Sequence, residues 1–315
     1  MGWSGLAGEV VGCSVAIGAL VWFHRAREKL KEERAERAPQ SEKILRPAGY
    51  SAMKKVDEAW EGAEWALAQM VGGAVIGGLA WGSVFPVVWA VALGRVTVAQ
   101  VAGVPQAWSI LVSFFLGMIG ALWGIREFRV IGRLYEDARN WRLGLRGEQA
   151  VAEKLADRSL AAAGYVVFHD LPAERAETKW NVDHVVVGPG GIFVLETKAR
   201  AKRRATRDQE ESKVIFDGEK LQFPWCVDWG AVNQVQRNAE WVGQLIKEYA
   251  PEGIAIQPVI VVPGWYVESM GNYPVKAMNA KYLVGYLAGM KPVYEARELK
   301  GVVKRLDEVC RGLEF

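Results

Sequence analysis

Apolar positions fall in two contrasting patterns along this chain. From Trp65 to Ile125 the only charged residue is Arg95. That stretch divides at a short link carrying Arg95, Thr97, Gln100 and Pro105, leaving apolar segments at 66–93 and 107–125. Each is about the ~20 residues that cross a ~30 Å hydrocarbon core. Trp65, Trp89, Trp108 and Trp123 stand near the segment ends, where an interfacial aromatic belt would lie. Pro86 inside the first segment predicts a kink that neighbouring helices accommodate. A third apolar segment at 6–23 carries Glu9, and its basic residues come after it, at Arg25, Arg27, Lys29 and Lys31. That order suits an uncleaved anchor better than a cleaved signal peptide.

Past residue 125 the periodicity changes to that of an α/β domain. A helix is predicted over 126–140, then another over 147–163 with Ala150, Val151, Leu155 and Leu160 as its apolar stripe. Strands are predicted at 165–169, 181–187 and 192–198, the last two joined by Gly188-Pro189-Gly190-Gly191. A short hairpin around Phe216 and Leu221 turns at Asp217-Gly218. A helix over 231–249, a buried strand over 256–262 and helices near 280–290 and 293–312 complete the order. These elements imply a mixed sheet with helical cover.

Composition changes this picture only when it is taken by region. The average is bland: 51% hydrophobic, 24% charged, net charge +3. It excludes a disordered tail or a collagen-like repeat, and three distant cysteines give neither a disulfide framework nor a metal knuckle. By region, Lys and Arg number ten in 24–65, one in 94–106 and six in 126–146. The rule that basic loops stay inside then predicts three spans, an outer N-terminus and a cytoplasmic C-terminal part. The charged run 24–38 reads as a solvated juxtamembrane helix, its acids diluting any attraction to anionic lipid. Gly73/Gly77, Gly78/Gly82 and Gly120/Gly124 allow close helix approach and a homo-oligomer.

The informative chemistry lies in the predicted 181–198 hairpin. About a turn centred between Pro189 and Gly190, facing positions have numbers that sum to 379, which sets Asp183 opposite Glu196. Like charges at ~4.5–5.5 Å across a pair are destabilising. A divalent cation would compensate them, and Mg²⁺ is commonly held by one or two carboxylates plus substrate phosphate. Lys198 shares a face with Glu196 while Thr197 points away. The run Lys198–Arg207 adds Arg200, Lys202, Arg203, Arg204 and Arg207 with no acid, suited to neutralising phosphates. His184 reads as a core histidine, and His169 ends a strand without an evident partner.

Gly144-x-x-Gly147-Glu148, Val182-Asp183-His184 and Glu196-Thr197-Lys198, in that order, resemble the nuclease-related domain, a branch of the PD-(D/E)xK phosphodiesterases. The resemblance spans about residues 140–290 and implies a restriction-endonuclease-like mixed sheet flanked by helices. It implies Mg²⁺, or Mn²⁺ in its place, on Asp183 and Glu196 with help from Glu148, a water positioned by Lys198, and Gln234 as a further site residue. The expected division is a membrane anchor at 1–125, a juxtamembrane helix at 126–143 and a catalytic domain at 144–315. The expected activity is cleavage of nucleic acid, DNA rather than RNA, at the cytoplasmic face of a bacterial inner membrane. The rival expectation is an inactive membrane-tethered protein that binds nucleic acid or docks a partner.

Overall fold

The computed structural model describes residues 45–311 except 96, 99, 101–106 and 203–211, with backbone alone at 76–88, 107 and 109–110. The predicted span at 6–23, the charged run at 24–38 and Arg203, Arg204 and Arg207 lie outside the described residues. Two compact units divide the chain: Asp57–Ala138, grouped with the undescribed N-terminus, and Arg139–Phe315, grouped with Ser41–Val56.

In the first unit two long helices carry the apolar segments. Helix α1 covers Tyr50–Ala92 and runs unbroken through Pro86; α2 covers Ala107–Leu155. Among the described residues one helical stretch, Leu111–Leu155, is long and apolar enough to cross a membrane. Leu111, Val112, Phe115, Ile119, Leu122 and Phe128 on α2 are all at least half exposed. Gly73 and Gly120 meet within this unit, a Cβ at Gly73 lying 3.5 Å from the Gly120 carbonyl oxygen. These small residues thus serve contact between α1 and α2 of one chain.

The second unit is mixed α/β. Its first strands are β1 (Val166–Arg175), β2 (Thr178–Gly188) and β3 (Gly191–Thr197). Next come β4 (Lys213–Phe216), β5 (Leu221–Phe223), β6 (Cys226–Asp228) and helix α4 (Gly230–Ile246), after a short α3 (Arg158–Ala162) ahead of β1. Strands β7 (Ile256–Val261), β8 (Tyr266–Ser269) and β9 (Lys276–Met278) precede α5 (Ala280–Ala288) and α6 (Ala296–Cys310). The main sheet has the order β1-β2-β3-β7-β9, antiparallel through β3 and parallel beyond it, and a smaller sheet has the order β6-β5-β4-β8. Val185, Val187, Ile192 and Val194 form one core with Val242 and Ile246 of α4 and Val302 and Leu306 of α6. Val186, Phe193 and Leu195 form another with Val151 and Leu155 of α2 and Leu283 and Leu287 of α5. This two-sided burial explains why β2 and β3 read as continuous apolar runs.

Three predicted boundaries are corrected. No new helix begins at 147: α2 is continuous from Ala107 to Leu155, because residues 141–146 contain no proline and an isolated glycine costs only ~1 kcal/mol in a helix. The helix ends at Leu155 rather than 163, and Asp157 caps a separate turn by accepting from the Ser159 amide at 2.8 Å. Strand β1 continues past 169 to Arg175 despite Pro172, which an edge strand tolerates. The short strands β6, β8 and β9 carry too few residues for a readable alternation.

Candidate active site

The β2–β3 ladder runs from Gly188↔Gly191 to His184↔Leu195, so every pair sums to 379 and the next positions are Asp183 and Glu196. The Thr197 amide donates to Asp183 Oδ2 at 2.6 Å, extending the connection one step past the ladder. On the other side β1 pairs His169 with His184 and Leu171 with Val182, which sets Asp170 opposite Asp183. Three acids, Asp170, Asp183 and Glu196, therefore stand in a row across three strands. Asp170 was not legible in the sequence, because its place depends on β1 running past 169.

Glu196 is 2% exposed, and both of its oxygens accept hydrogen bonds. Lys198 Nζ donates to Oε1 at 2.9 Å and Asn238 Nδ2 to Oε2 at 3.0 Å. Lys198 Nζ also donates to Gln234 Oε1 at 2.7 Å. Gln234 and Asn238 are one turn apart on α4, so a single helix face holds both Lys198 and Glu196. Asp228 anchors that helix, its Oδ1 accepting from the Gly230 and Ala231 amides at 3.1 Å each. Asn238 is oriented in turn by Trp180, whose indole N–H donates to its Oδ1 at 3.0 Å. Gln234 was implied by the family resemblance; Asn238, four residues on, is the residue the sequence reading missed.

Glu148 reaches the acids because Gly147 lets α2 close on β3: a Cβ there would lie 2.6 Å from the Ala199 Cβ. Gly144 needs no such allowance, since a Cβ there meets nothing within 4 Å. Burial, then the Asp170 and Glu196 carboxylates, push the Glu148 carboxyl up from 4.5 to about 8, against an amide hydrogen bond from Gly49. Burial, then Glu196 and Glu148, raise Asp183 well above its ordinary value. Burial raises Glu196 as well, opposed chiefly by Lys198. Acids held toward their protonated form by burial and by one another mark a site short of positive charge.

Among the described residues no group of three or more His, Cys, Asp or Glu side chains is arranged to hold a metal ion. Glu148, Asp183 and Glu196 are thus not gathered as a closed ligand set. The Asp183–Glu196 pair still fits a hard divalent cation, being oxygen donors whose mutual repulsion a cation would relieve.

A nuclease-related domain (NERD) is found at residues 143–263. Its boundaries enclose Glu148, Asp183, Glu196, Lys198 and Gln234. No curated protein and no solved structure matches the chain. Arg200 pairs with Asp228 at 2.7 Å, and Lys202 lies over the ring of Trp265, just past the matched span, at 5.5 Å. Both remain exposed. His184 is fully buried, and its Nδ1 lies 2.8 Å from that of His169, which supplies the partner the sequence did not name.

Proposed function

We propose that this protein hydrolyses phosphodiester bonds in nucleic acid, DNA in preference to RNA, using a divalent cation held by Asp183 and Glu196. The observation that carries the reading is the Lys198 ammonium fixed between Glu196 and Gln234, at the strand end where Asp183 meets β3. Mg²⁺, or Mn²⁺ in its place, would lower the pKa of a bound water and neutralise charge on the scissile phosphate. Asp183 and Glu196 bind and orient, and Asn238 holds the Glu196 carboxylate in place through Oε2. Lys198, released from Glu196 as substrate enters, donates to the attacking water or a phosphate oxygen, with Gln234 keeping the ammonium aimed. Glu148 assists from the helix side. Arg200 and Lys202, with Arg203, Arg204 and Arg207, supply sequence-independent phosphate contacts.

The protein is further proposed to sit in a bacterial inner membrane with this domain on the cytoplasmic side. The outward apolar surface of α2 and the distribution of Lys and Arg support that placement. A reporter fused after Phe315 should read cytoplasmic, and a periplasmic signal would reverse the orientation.

The full chain incubated with DNA or RNA should cut in Mg²⁺ or Mn²⁺ and stop in EDTA. Glu196→Ala and Lys198→Ala should abolish the cut; cleavage equal to wild type, or none by wild type, refutes the activity. The second reading is an inactive, membrane-tethered protein that binds nucleic acid or docks a partner. Binding without cleavage in the same assay would establish it.

A further inference from the structure

We propose that the turn leading into α1, residues 46–51, is a working part of the catalytic centre, with Ser51 as a positioning residue for Glu148. The turn lies outside the matched span 143–263 and precedes the long apolar stretch in sequence. Its contacts nonetheless end on two of the acids around Asp183.

Gly49 packs against Glu148: a Cβ built on it would lie 3.7 Å from Glu148 Oε2. Gly49 has φ +75°, and a Cβ there would collide with the Leu145 side chain one turn before Glu148. The position therefore demands glycine for its backbone. Two residues on, Ser51 Oγ donates to Asp170 Oδ2 at 2.9 Å and the Ser51 amide to Oδ1 at 3.3 Å. Arg46 Nη1 adds a contact to Oδ2 at 3.4 Å, and Asn181 Nδ2 donates to Oδ1 at 2.8 Å and to Ser51 Oγ. Asp170, 2% exposed, holds φ 49° inside a strand, a conformation a non-glycine residue keeps only when its surroundings fix it.

The physical logic is that of a helix start. The first-turn amides of α1 have no intrahelical acceptors, and that end of the helix favours negative charge. Here the Tyr50 amide goes to the Pro47 carbonyl within the turn and the Ser51 amide to Asp170, while Glu148 beside the turn is repelled by Asp170 and Glu196. Glu148 stays with like charges because the turn packs against it at Gly49, and the turn is fixed because Ser51 is tied to Asp170 on β1. Asn181, two residues before Asp183 on β2, joins the same knot. Loss of the Ser51 hydroxyl frees the turn, and the Glu148 carboxylate then swings away from the metal pair.

The inference rests on the metal-dependent reading of Asp183 and Glu196, and its test separates the two. Mn²⁺ affinity of the full chain is measured by electron paramagnetic resonance, alongside DNA cleavage, for wild type, Ser51→Ala, Ser51→Thr, Asp170→Asn, Glu148→Gln and Ser51→Ala combined with Glu148→Gln. Ser51→Ala and Asp170→Asn should each weaken Mn²⁺ binding about tenfold or more, the usual range for groups supporting a metal site. Ser51→Thr, which keeps the hydroxyl, should restore it. In the Glu148→Gln background Ser51→Ala should have no further effect, an outcome that a general loss of packing would not give. Wild-type affinity in Ser51→Ala, or losses that add across the double variant, overturns the positioning role alone. Absence of Mn²⁺ binding and cleavage in wild type overturns the metal-dependent reading and this role with it.

Discussion

Replacing Glu148 with Gln should stabilise the metal-free protein, and the gain should grow with pH. Glu148 titrates near 4.5 in an unfolded chain and is pushed up to about 8 in the fold, first by burial and then by Asp170 and Glu196. The folded state therefore holds this proton more tightly than the unfolded state. Stability from this group is complete below about pH 4.5 and is lost as pH climbs to about 8, with no further loss above. At about 1.4 kcal/mol per pKa unit, the full penalty at pH 7 is ~3 kcal/mol. Solvent around the half-buried side chain reduces the expected gain to ~1–2 kcal/mol. Glutamine keeps the size and one oxygen of the side chain, so the comparison isolates charge. The assay is hydrogen exchange of β2 and β3 amides across a urea series, with EDTA, at pH 5 and pH 8, corrected for intrinsic rates. Glu148→Gln should exceed wild type only slightly at pH 5 and by most of the full gain at pH 8. Saturating Mn²⁺ should reverse the order, because a ligand bound to the folded state adds stability in proportion to its affinity. An advantage equal at both pH values, or none at pH 8, would show that the acids do not strain one another.

Gly147→Ala should destabilise the second unit by ~1–3 kcal/mol through overpacking against Ala199, whereas Gly144→Ala, meeting nothing within 4 Å, should be neutral or gain up to ~1 kcal/mol; urea denaturation separates them. His184, held well below its ordinary pKa by burial and then by His169, should remain neutral through pH 6.5 by nitrogen NMR. Its contribution to stability is then lost as pH falls through the unfolded value of 6.5, and titration at that value would contradict its burial. Arg200→Ala and Lys202→Ala should each weaken DNA binding evenly across sequences and reduce the salt slope by about 1, read by fluorescence anisotropy at several salt concentrations; an unchanged slope would remove that side chain from the phosphate contacts.

The central pair was legible because register in a tight hairpin is set locally. Once the turn is placed between Pro189 and Gly190, period-two alternation fixes the facing of Asp183 and Glu196 and puts Lys198 beside Glu196. Gln234 was legible only through the family resemblance, and α4 crossing the same strand end brings it to Lys198. Asp170 and the 46–51 turn were hidden for the opposite reason. Asp170 interrupts an alternation with a left-handed residue, and Ser51 lies far upstream with no local signal of its destination. Helix boundaries in α1 and α2 were also poorly legible, since charged and apolar segments share one continuous helix and only tertiary contacts divide them. Long-range hydrogen bonds, rather than element types, separate what the chain announces from what it conceals.

The same contacts predict that metal binding and catalysis respond oppositely to loss of Lys198. Its ammonium occupies Glu196 Oε1 at 2.9 Å, while Asn238 occupies Oε2 at 3.0 Å. A cation entering beside Asp183 must draw on the same carboxylate, so Lys198 competes with it for Oε1 and repels it. Removing the ammonium in Lys198→Met, which keeps a long apolar stem, should tighten Mn²⁺ binding about tenfold, ~1.4 kcal/mol. Cleavage should nonetheless fall by at least a hundredfold, ~3 kcal/mol of barrier, the scale seen when one fixed donor to a developing charge is lost. A purely structural lysine would lower both quantities together, because its loss would leave Glu196 misplaced for the cation as well as for the phosphate. Mn²⁺ titration and single-turnover cleavage on the same variant decide the matter. Weaker metal binding in Lys198→Met would mean that the ion pair supports the site, and that the charge deficit around Asp183 is met by some other group.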